Sequence, residues 1–472
     1  MTLIDDLRAA LGAPNVLTGK DTDKYAKDWS GHLTWTPLAV ARPANTAEVA
    51  ECVKAAARYG IAVVPVSGNT GLAGGTQADA ALMISMERMN KVRALNTDAR
   101  TITVEAGVIV SKIQDVVQEH DLIFPLFFGA RGSALIGGSL STNAGGSNVL
   151  RYGNTRALCL GLEVVLASGE VLDLMSELHK DNTGYDLKDL FIGAEGTLGL
   201  ITAAVLKLFP APAAYTTAMV ATDGLDSALR LLNRLQRDSG GAVEAFELMP
   251  RSYLEAWGTL FPDQRQPFDT IYDTALLIEI GTTAEHDAKP GPDGAIPATE
   301  RLEATLAGLL EDGAVLDAVV AKSESQRTEM WDRRDAAADV ALSRGRFVNF
   351  DVSVPLTAVD PFIERADAAM NQMAPGCETV LVSHLGDGNV HYTLIAPDLT
   401  GGQKDALMEA VEDITSDLRG SFSAEHGIGI HKRPSMARRK DPVALHVMRA
   451  IKKALDPENR MNPGKVLPDA PA

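Results

Sequence analysis

Cysteine is scarce in this chain: Cys52, Cys159 and Cys377 are the only three in 472 residues. Their number is odd, their spacing wide, and no C-x-x-C occurs. That argues against a disulfide framework and for a reducing compartment, with cytosol the expected location. Long apolar runs are missing too. No stretch approaches the roughly 20 residues of a spanning helix. Met1–Gly12 carries Asp5 and Asp6 rather than an apolar segment, so no secretory signal is expected there. Positive charge is short: 44 Lys and Arg stand against 62 Asp and Glu, a net charge of −18. Such a field disfavours nucleic acid or an anionic membrane as the main partner. An anionic substrate would need a local basic site set against it. No G-x-G-x-x-G occurs, which disfavours a nicotinamide Rossmann fold, and no G-x-x-x-x-G-K-[ST] marks a P-loop. Tandem repeats and low-complexity segments are also absent.

What is present is ordinary soluble composition, 46% hydrophobic and 22% charged. The length exceeds one ordinary core, so two or more domains are expected. Thr46–Tyr59 reads as an amphipathic helix with Val49, Cys52, Val53 and Ala56 on one stripe. Strand signals follow at Ile61–Val66, Leu82–Ser85 and Thr101–Ala106, then a helix at Ser111–His120. A hairpin is expected from Leu162–Ala167 and Glu170–Leu174, and a strand at Ile201–Phe209 runs into Pro210 and Pro212, a plausible boundary. Beyond it, strands at Thr217–Ala221, Ala242–Leu248, Thr274–Ile280, Phe347–Val354 and Thr379–Val382 alternate with helices near Arg301–Leu310, Asp360–Met370 and Pro442–Leu455. This predicts an α+β layer, an antiparallel sheet with helices on one face.

One segment carries the most chemistry: His384-Leu385-Gly386-Asp387-Gly388-Asn389-Val390-His391. Asp-Gly favours a two-residue hairpin turn. With Asp387 and Gly388 in the turn, Gly386 would pair with Asn389, Leu385 with Val390 and His384 with His391. Directly opposed residues share a face, with Cβ atoms roughly 4.5–5.5 Å apart. Two imidazoles so held are half a metal site. A nearby carboxylate would give three protein ligands and leave one position for substrate.

Two glycine-rich blocks leave backbone bare for a pyrophosphate: Gly68, Gly71, Gly74 and Gly75, then Gly129 to Gly153. The first, Pro65-Val66-Ser67-Gly68-Asn69-Thr70-Gly71-Leu72-Ala73-Gly74-Gly75, resembles the pyrophosphate loop of the vanillyl-alcohol-oxidase / p-cresol-methylhydroxylase class of FAD enzymes. Ile136-Gly137-Gly138 through Asn143-Ala144-Gly145-Gly146 and Arg151-Tyr152-Gly153 resembles that class's second FAD loop. Thr183–Leu187 with Gly193–Gly199 is similar to a third FAD-facing segment, and Asn462-Pro463-Gly464-Lys465 to a terminal motif that returns to the flavin. The histidine segment and Ser423-Ala424-Glu425-His426-Gly427 narrow the resemblance to the D-2-hydroxyacid dehydrogenase branch, which includes D-lactate, D-2-hydroxyglutarate and glycolate dehydrogenases.

The resemblance implies an α+β fold: a two-lobed FAD-binding domain (1–212), a substrate- and metal-binding cap (213–425) and a C-terminal segment (426–472) packing back on the first. It implies FAD, bound without a covalent link, on Pro65, Ser67, Gly68, Asn69, Thr70, Gly71, Leu72, Gly132, Ser133, Gly137, Gly138, Thr142, Asn143, Gly145, Gly146, Arg151, Tyr152, Gly153, Glu195, Gly196, Gly199, Ile201 and Asn462. It implies a divalent metal, zinc by expectation, on His384, His391 and Glu425, with His426 as general base and Arg334 as the cation for the substrate carboxylate. Arg333 is read as a surface charge. The implied reaction oxidises a D-2-hydroxyacid to the 2-oxoacid by metal-assisted hydride transfer to flavin. A quinone, electron-transfer flavoprotein or cytochrome would be the acceptor, and a homodimer the assembly. Three positions depart from the 2-hydroxyglutarate pattern: Ala338, Asn349 and Thr393 stand where a threonine, a lysine and an asparagine are expected. They favour D-lactate or another monocarboxylate. D-2-hydroxyglutarate as substrate, or oxygen as acceptor, is the alternative.

Overall fold

Asn45 starts the first long helix by accepting a hydrogen bond from the Glu48 N–H, and Thr46–Arg58 then buries Val49, Cys52, Val53 and Ala56. The computed structural model describes residues 2–469 except 30, 32, 293, 397 and 398. The chain divides into two units. The first comprises residues 1–145, 153–210 and 425–472, the second 146–152 and 211–424.

In the first unit, Val63–Val66 and Ala39–Ala41 flank Leu82–Ser85 in parallel, and Val16–Leu17 closes the sheet antiparallel. A second sheet is antiparallel, in the spatial order Val92–Asn96, Thr101–Glu105, Leu200–Lys207, Cys159–Val165, Val171–Leu174. The C-terminal segment joins the first sheet. The Val63 N–H donates to Arg460 O at 2.8 Å and the Asn462 N–H to Val63 O at 2.7 Å, with Met461 fully buried between them.

The second unit is one antiparallel sheet of seven strands. Their order is Val315–Val320, Ala214–Thr222, Thr274–Thr282, Val243–Pro250, Glu378–His384, Asn389–Ile395, Phe347–Ser353. Helices cover both faces, not one. Leu276, Ile278, Phe246, Leu381 and Tyr392 point to helices Leu225–Asp238, Val359–Met373 and Gly401–Asp417. Their neighbours Ala275, Leu277, Met249, Val380 and Val382 point to Arg251–Leu260, Glu324–Asp335 and Ala337–Ser343. The reason is in the central strands: every residue of Thr274–Thr282 is buried, so both alternating sets need cover.

The three cysteines are unpaired thiols, Cys52 and Cys159 buried and Cys377 half-buried. Among the described residues, no helix is long and apolar enough to cross a membrane.

Candidate active site

The histidine hairpin differs from the expected two-residue turn. His384 pairs with Asn389 and Val382 with His391, so four residues, Leu385 to Gly388, form the loop. His384 O accepts from the N–H groups of both Asp387 (3.2 Å) and Gly388 (3.1 Å). The tighter turn loses because the loop has other partners. Leu385 is fully buried in the sheet's core, and the Gly386 N–H donates to Phe246 O on the adjacent strand at 3.1 Å. The shift of two residues preserves the side-chain face. His384 and His391 are now diagonal neighbours, their rings 5.3 Å apart at 80°.

That face is apolar at one end and polar at the other. Thr217, Glu279, Glu247, His384, His391 and Asp351 continue the rows of Met219, Leu277, Met249 and Val382. Helix Glu324–Asp335 lies over the polar end and presents Arg327, Trp331 and Arg334, four and three residues apart and so on one stripe. Glu279 accepts from Arg327 Nε (2.7 Å), Arg327 Nη2 (2.8 Å), Trp331 Nε1 (2.8 Å) and Thr217 Oγ1 (2.6 Å). Glu247, the next buried carboxylate, was not singled out in the sequence. Its Oε2 accepts from Arg334 Nε and its Oε1 bonds His384 Nδ1, both at 2.8 Å. Burial pushes Glu247 up, but the His384 ring and the Arg334 guanidinium outweigh it and hold the carboxyl below its usual range.

Arg334 is buried, and among the described groups its Nη2 has no hydrogen-bond partner. A guanidinium edge left so is suited to a carboxylate. Arg333 is not a surface charge. It is buried, its guanidinium 4.6 Å above the Trp257 ring and its Nη2 on Arg265 O at 2.8 Å. A planar guanidinium can stack on an aromatic face where an ammonium could not.

His391 has a carboxylate of its own. Asp351 lies opposite it in register, with Oδ1 3.9 Å from Nδ1, and is held by Asn389 Nδ2 at 3.1 Å. The Ala424 N–H donates to Asp351 O at 3.3 Å. Glu425, where the first unit resumes, is one peptide bond further on. Within that unit, His426 precedes a segment pinned by Glu195, whose carboxylate accepts from the Ile428 (2.7 Å) and Gly429 (2.9 Å) N–H groups. The backbone there is irregular. Gly429 has φ +50°, and a Cβ on it would lie 2.0 Å from Ala73 O.

The glycine blocks meet in the first unit. A Cβ on Gly68 would lie 2.5 Å from Ser133 O, so only glycine allows the approach. Among the described residues, no backbone N–H from Gly68 to Gly75 donates to a backbone carbonyl. A run of uncommitted amides fits an anionic pyrophosphate. Asn69 and Asn143 both take φ +53°, and Thr142 Oγ1 turns back on Gly138 O at 3.2 Å. Asn462 Nδ2 donates to Gly75 O (3.0 Å) and Glu195 O (2.7 Å), joining the terminal motif to both segments, while its buried Oδ1 has no partner among the described groups. Pro65 packs against Gly196, and Gly199 and Ile201 lie at the start of the 200–207 strand beside Val164 and Phe191. Gly146, Arg151 and Tyr152 fall in the second unit. Arg151 Nη1 and Tyr152 OH both donate to the buried Glu244 at 2.7 Å.

Residues 37–175 match the family described as FAD binding domain, and residues 211–466 the one described as FAD linked oxidases, C-terminal domain. The D-2-hydroxyglutarate dehydrogenase of Xanthomonas citri pv. viticola is 36% identical over 463 residues, spanning 96% of this chain and 94% of that protein. The D-2-hydroxyglutarate dehydrogenase of Stutzerimonas stutzeri is 33% identical over 472 residues and is covered at 98%, as is this chain. Among solved structures, p-cresol methylhydroxylase with substrate bound matches with a TM-score of 0.75 at 18% identity, covering 98% of this chain and 96% of that one. At that identity the likeness concerns the fold alone.

Proposed function

The chain belongs to the D-2-hydroxyacid dehydrogenase branch of the FAD-linked oxidases, and from that premise we propose that this oxidoreductase acts on D-lactate or another monocarboxylic D-2-hydroxyacid with the help of zinc. The buried Arg334, with Nη2 unpartnered and Nε on the same carboxylate as His384, carries the reading. It puts a carboxylate receptor and an imidazole on one support, as an α-hydroxy acid requires. The donor set fits the metal: His384 Nδ1 is tied to Glu247, which directs Nε2 outward, and a histidine so braced is a good zinc ligand. His391 and Glu425 complete the set in this reading. Glu425 follows Ala424, whose N–H donates to Asp351 O at 3.3 Å.

When bound, the flavin supplies a two-electron acceptor and the dication a Lewis acid. The chain's own groups do the rest. Arg334 holds the substrate carboxylate, and together with a second hold on the hydroxyl it sets which face of C2 is presented. His426 accepts the hydroxyl proton, a task suited to a group that titrates near working pH. Glu195 keeps the segment after His426 in place through two backbone N–H groups. The acceptor for the flavin's electrons would be a quinone, an electron-transfer flavoprotein or a cytochrome, and the thiols, all unpaired, suit a cytosolic setting.

The monocarboxylate preference rests on Asn349 and Thr393. They lie opposite each other on the face that bears His391, and Thr393 Oγ1 donates to Asn349 Oδ1 at 2.9 Å. A neutral pair bonded to itself offers no cation to a second carboxylate, and Ala338 is exposed. D-2-hydroxyglutarate is the second reading, because it is the substrate named for the relatives at 36% and 33% identity. Anaerobic titration of the purified yellow protein decides. The flavin should bleach at lower concentrations of D-lactate than of D-2-hydroxyglutarate and not with L-lactate. The reverse order selects the second reading, and no bleaching by any D-2-hydroxyacid removes both.

A further inference from the structure

Glu247 sits where two separate parts of the fold converge. Strand register sets it directly opposite His384, and the helix Glu324–Asp335 lowers Arg334 onto it. Its side chain is 1% exposed, so water cannot substitute for either partner. The two partners divide the carboxylate evenly: Oε1 to His384 Nδ1 and Oε2 to Arg334 Nε, each at 2.8 Å. Both partners are donors. Arg334 can only donate, and His384 must carry its proton on Nδ1 if Nε2 is to present a lone pair. Among side chains of this size only a carboxylate presents two separate acceptor atoms, one toward each donor.

We propose that Glu247 is a shared positioning residue, holding the metal-ligating tautomer of His384 with one oxygen and the substrate-binding posture of Arg334 with the other. The inference rests on the metal and substrate assignments above and extends them to a residue that touches neither ligand. It makes a sharp demand on the isosteric amide. In Glu247→Gln one of the two acceptor positions becomes an NH2 donor. Turned one way, the amide NH2 faces His384 Nδ1 and selects the tautomer with a proton on Nε2, where a metal would bind. Turned the other way, it faces Arg334 Nε and displaces the guanidinium. Either metal affinity or carboxylate affinity must fall.

The test uses the FAD-loaded full chain. Zinc affinity is read by competition with a chromophoric chelator. Carboxylate affinity is read from the flavin absorbance change on titration with oxalate, a non-reacting dicarboxylate that can mimic the hydroxyacid's chelating end. In E247Q at least one affinity should fall about 10- to 100-fold, the range for loss of a metal ligand's supporting carboxylate. Glu247→Asp keeps two acceptor oxygens and should recover, at least in part, whichever affinity E247Q loses. Glu279→Gln, on the neighbouring carboxylate under the same helix, should lower the melting temperature while leaving both affinities within about twofold. Both affinities unchanged in E247Q, no recovery in E247D of the affinity that E247Q loses, or equal losses in E279Q would each overturn the proposal. Failure of the wild-type protein to bind zinc would remove the metal reading and this inference with it. Wild-type binding with an unaffected E247Q removes the inference only.

Discussion

Replacing Arg334 by methionine separates its two roles, because stability and binding are measured differently. Arg334 and Glu247 are 9% and 1% exposed in their side chains and 2.8 Å apart. Removing one partner of such a buried pair strands the other charge, at about 3–5 kcal/mol. Here the His384 ring remains on the second oxygen of Glu247, so the lower end of that range, about 3 kcal/mol, is expected. Methionine is unbranched and fills most of the vacated volume, which limits any cavity term. Binding loses charge-assisted hydrogen bonds to the substrate carboxylate, worth about 1.5–3 kcal/mol or roughly 10- to 150-fold in affinity. Urea unfolding gives the first quantity. Stopped-flow reduction of the flavin gives the second, as a rise in the half-saturating substrate concentration. Arg327→Met is the matched control: it breaks the neighbouring pair with Glu279, on the same helix, without an assigned substrate contact. It should lose stability and keep its substrate affinity. An R334M protein that folds, retains FAD and binds substrate within threefold of wild type would refute the carboxylate assignment.

His426→Ala should retain FAD but reduce it by less than a thousandth of the wild-type rate under anaerobic conditions, with substrate affinity largely kept. Normal reduction would transfer the base role elsewhere. Lys465 offers a pH test of the C-terminal segment. Burial pushes its ammonium down to about 8, although its Nζ donates to Gln77 O at 3.0 Å. A depressed folded value means that its contribution to stability is present above the unfolded value near 10.5 and is lost as pH falls through about 8. Lys465→Met removes that titration. The melting temperature of the variant relative to wild type should therefore be higher at pH 7 than at pH 10.5, whatever its mean offset, and a constant difference across that range would contradict the assignment.

Much of the architecture was legible because it is written locally. The apolar stripe of Thr46–Arg58, the four residues of Leu82–Ser85 and the helix Pro442–Leu455 follow from periodicity and punctuation within each segment. The histidine pair was legible as well, because period two keeps His384 and His391 on one face even after the register moved. Its turn was not. Asp387-Gly388 is a strong local signal, but the turn was decided by Phe246 O and by the burial of Leu385, both supplied by strands far away in sequence. Arg333 failed for the same reason: a charge beside another on a helix reads as solvated until a tryptophan from position 257 is found beneath it.

By itself, the sequence set out the candidate groups, namely glycine-bare loops, two imidazoles with a carboxylate and a guanidinium, since residue type and spacing suffice to single these out. Only the tertiary structure decided which groups support one another. Glu247 and Arg334 are 87 residues apart, and Glu247 and His384 are 137 apart. Nothing local distinguishes Glu247 from any other glutamate in a strand. It becomes distinct when seven strands fix its register and a helix closes over it, because a charge removed from water must be matched by partners brought to it.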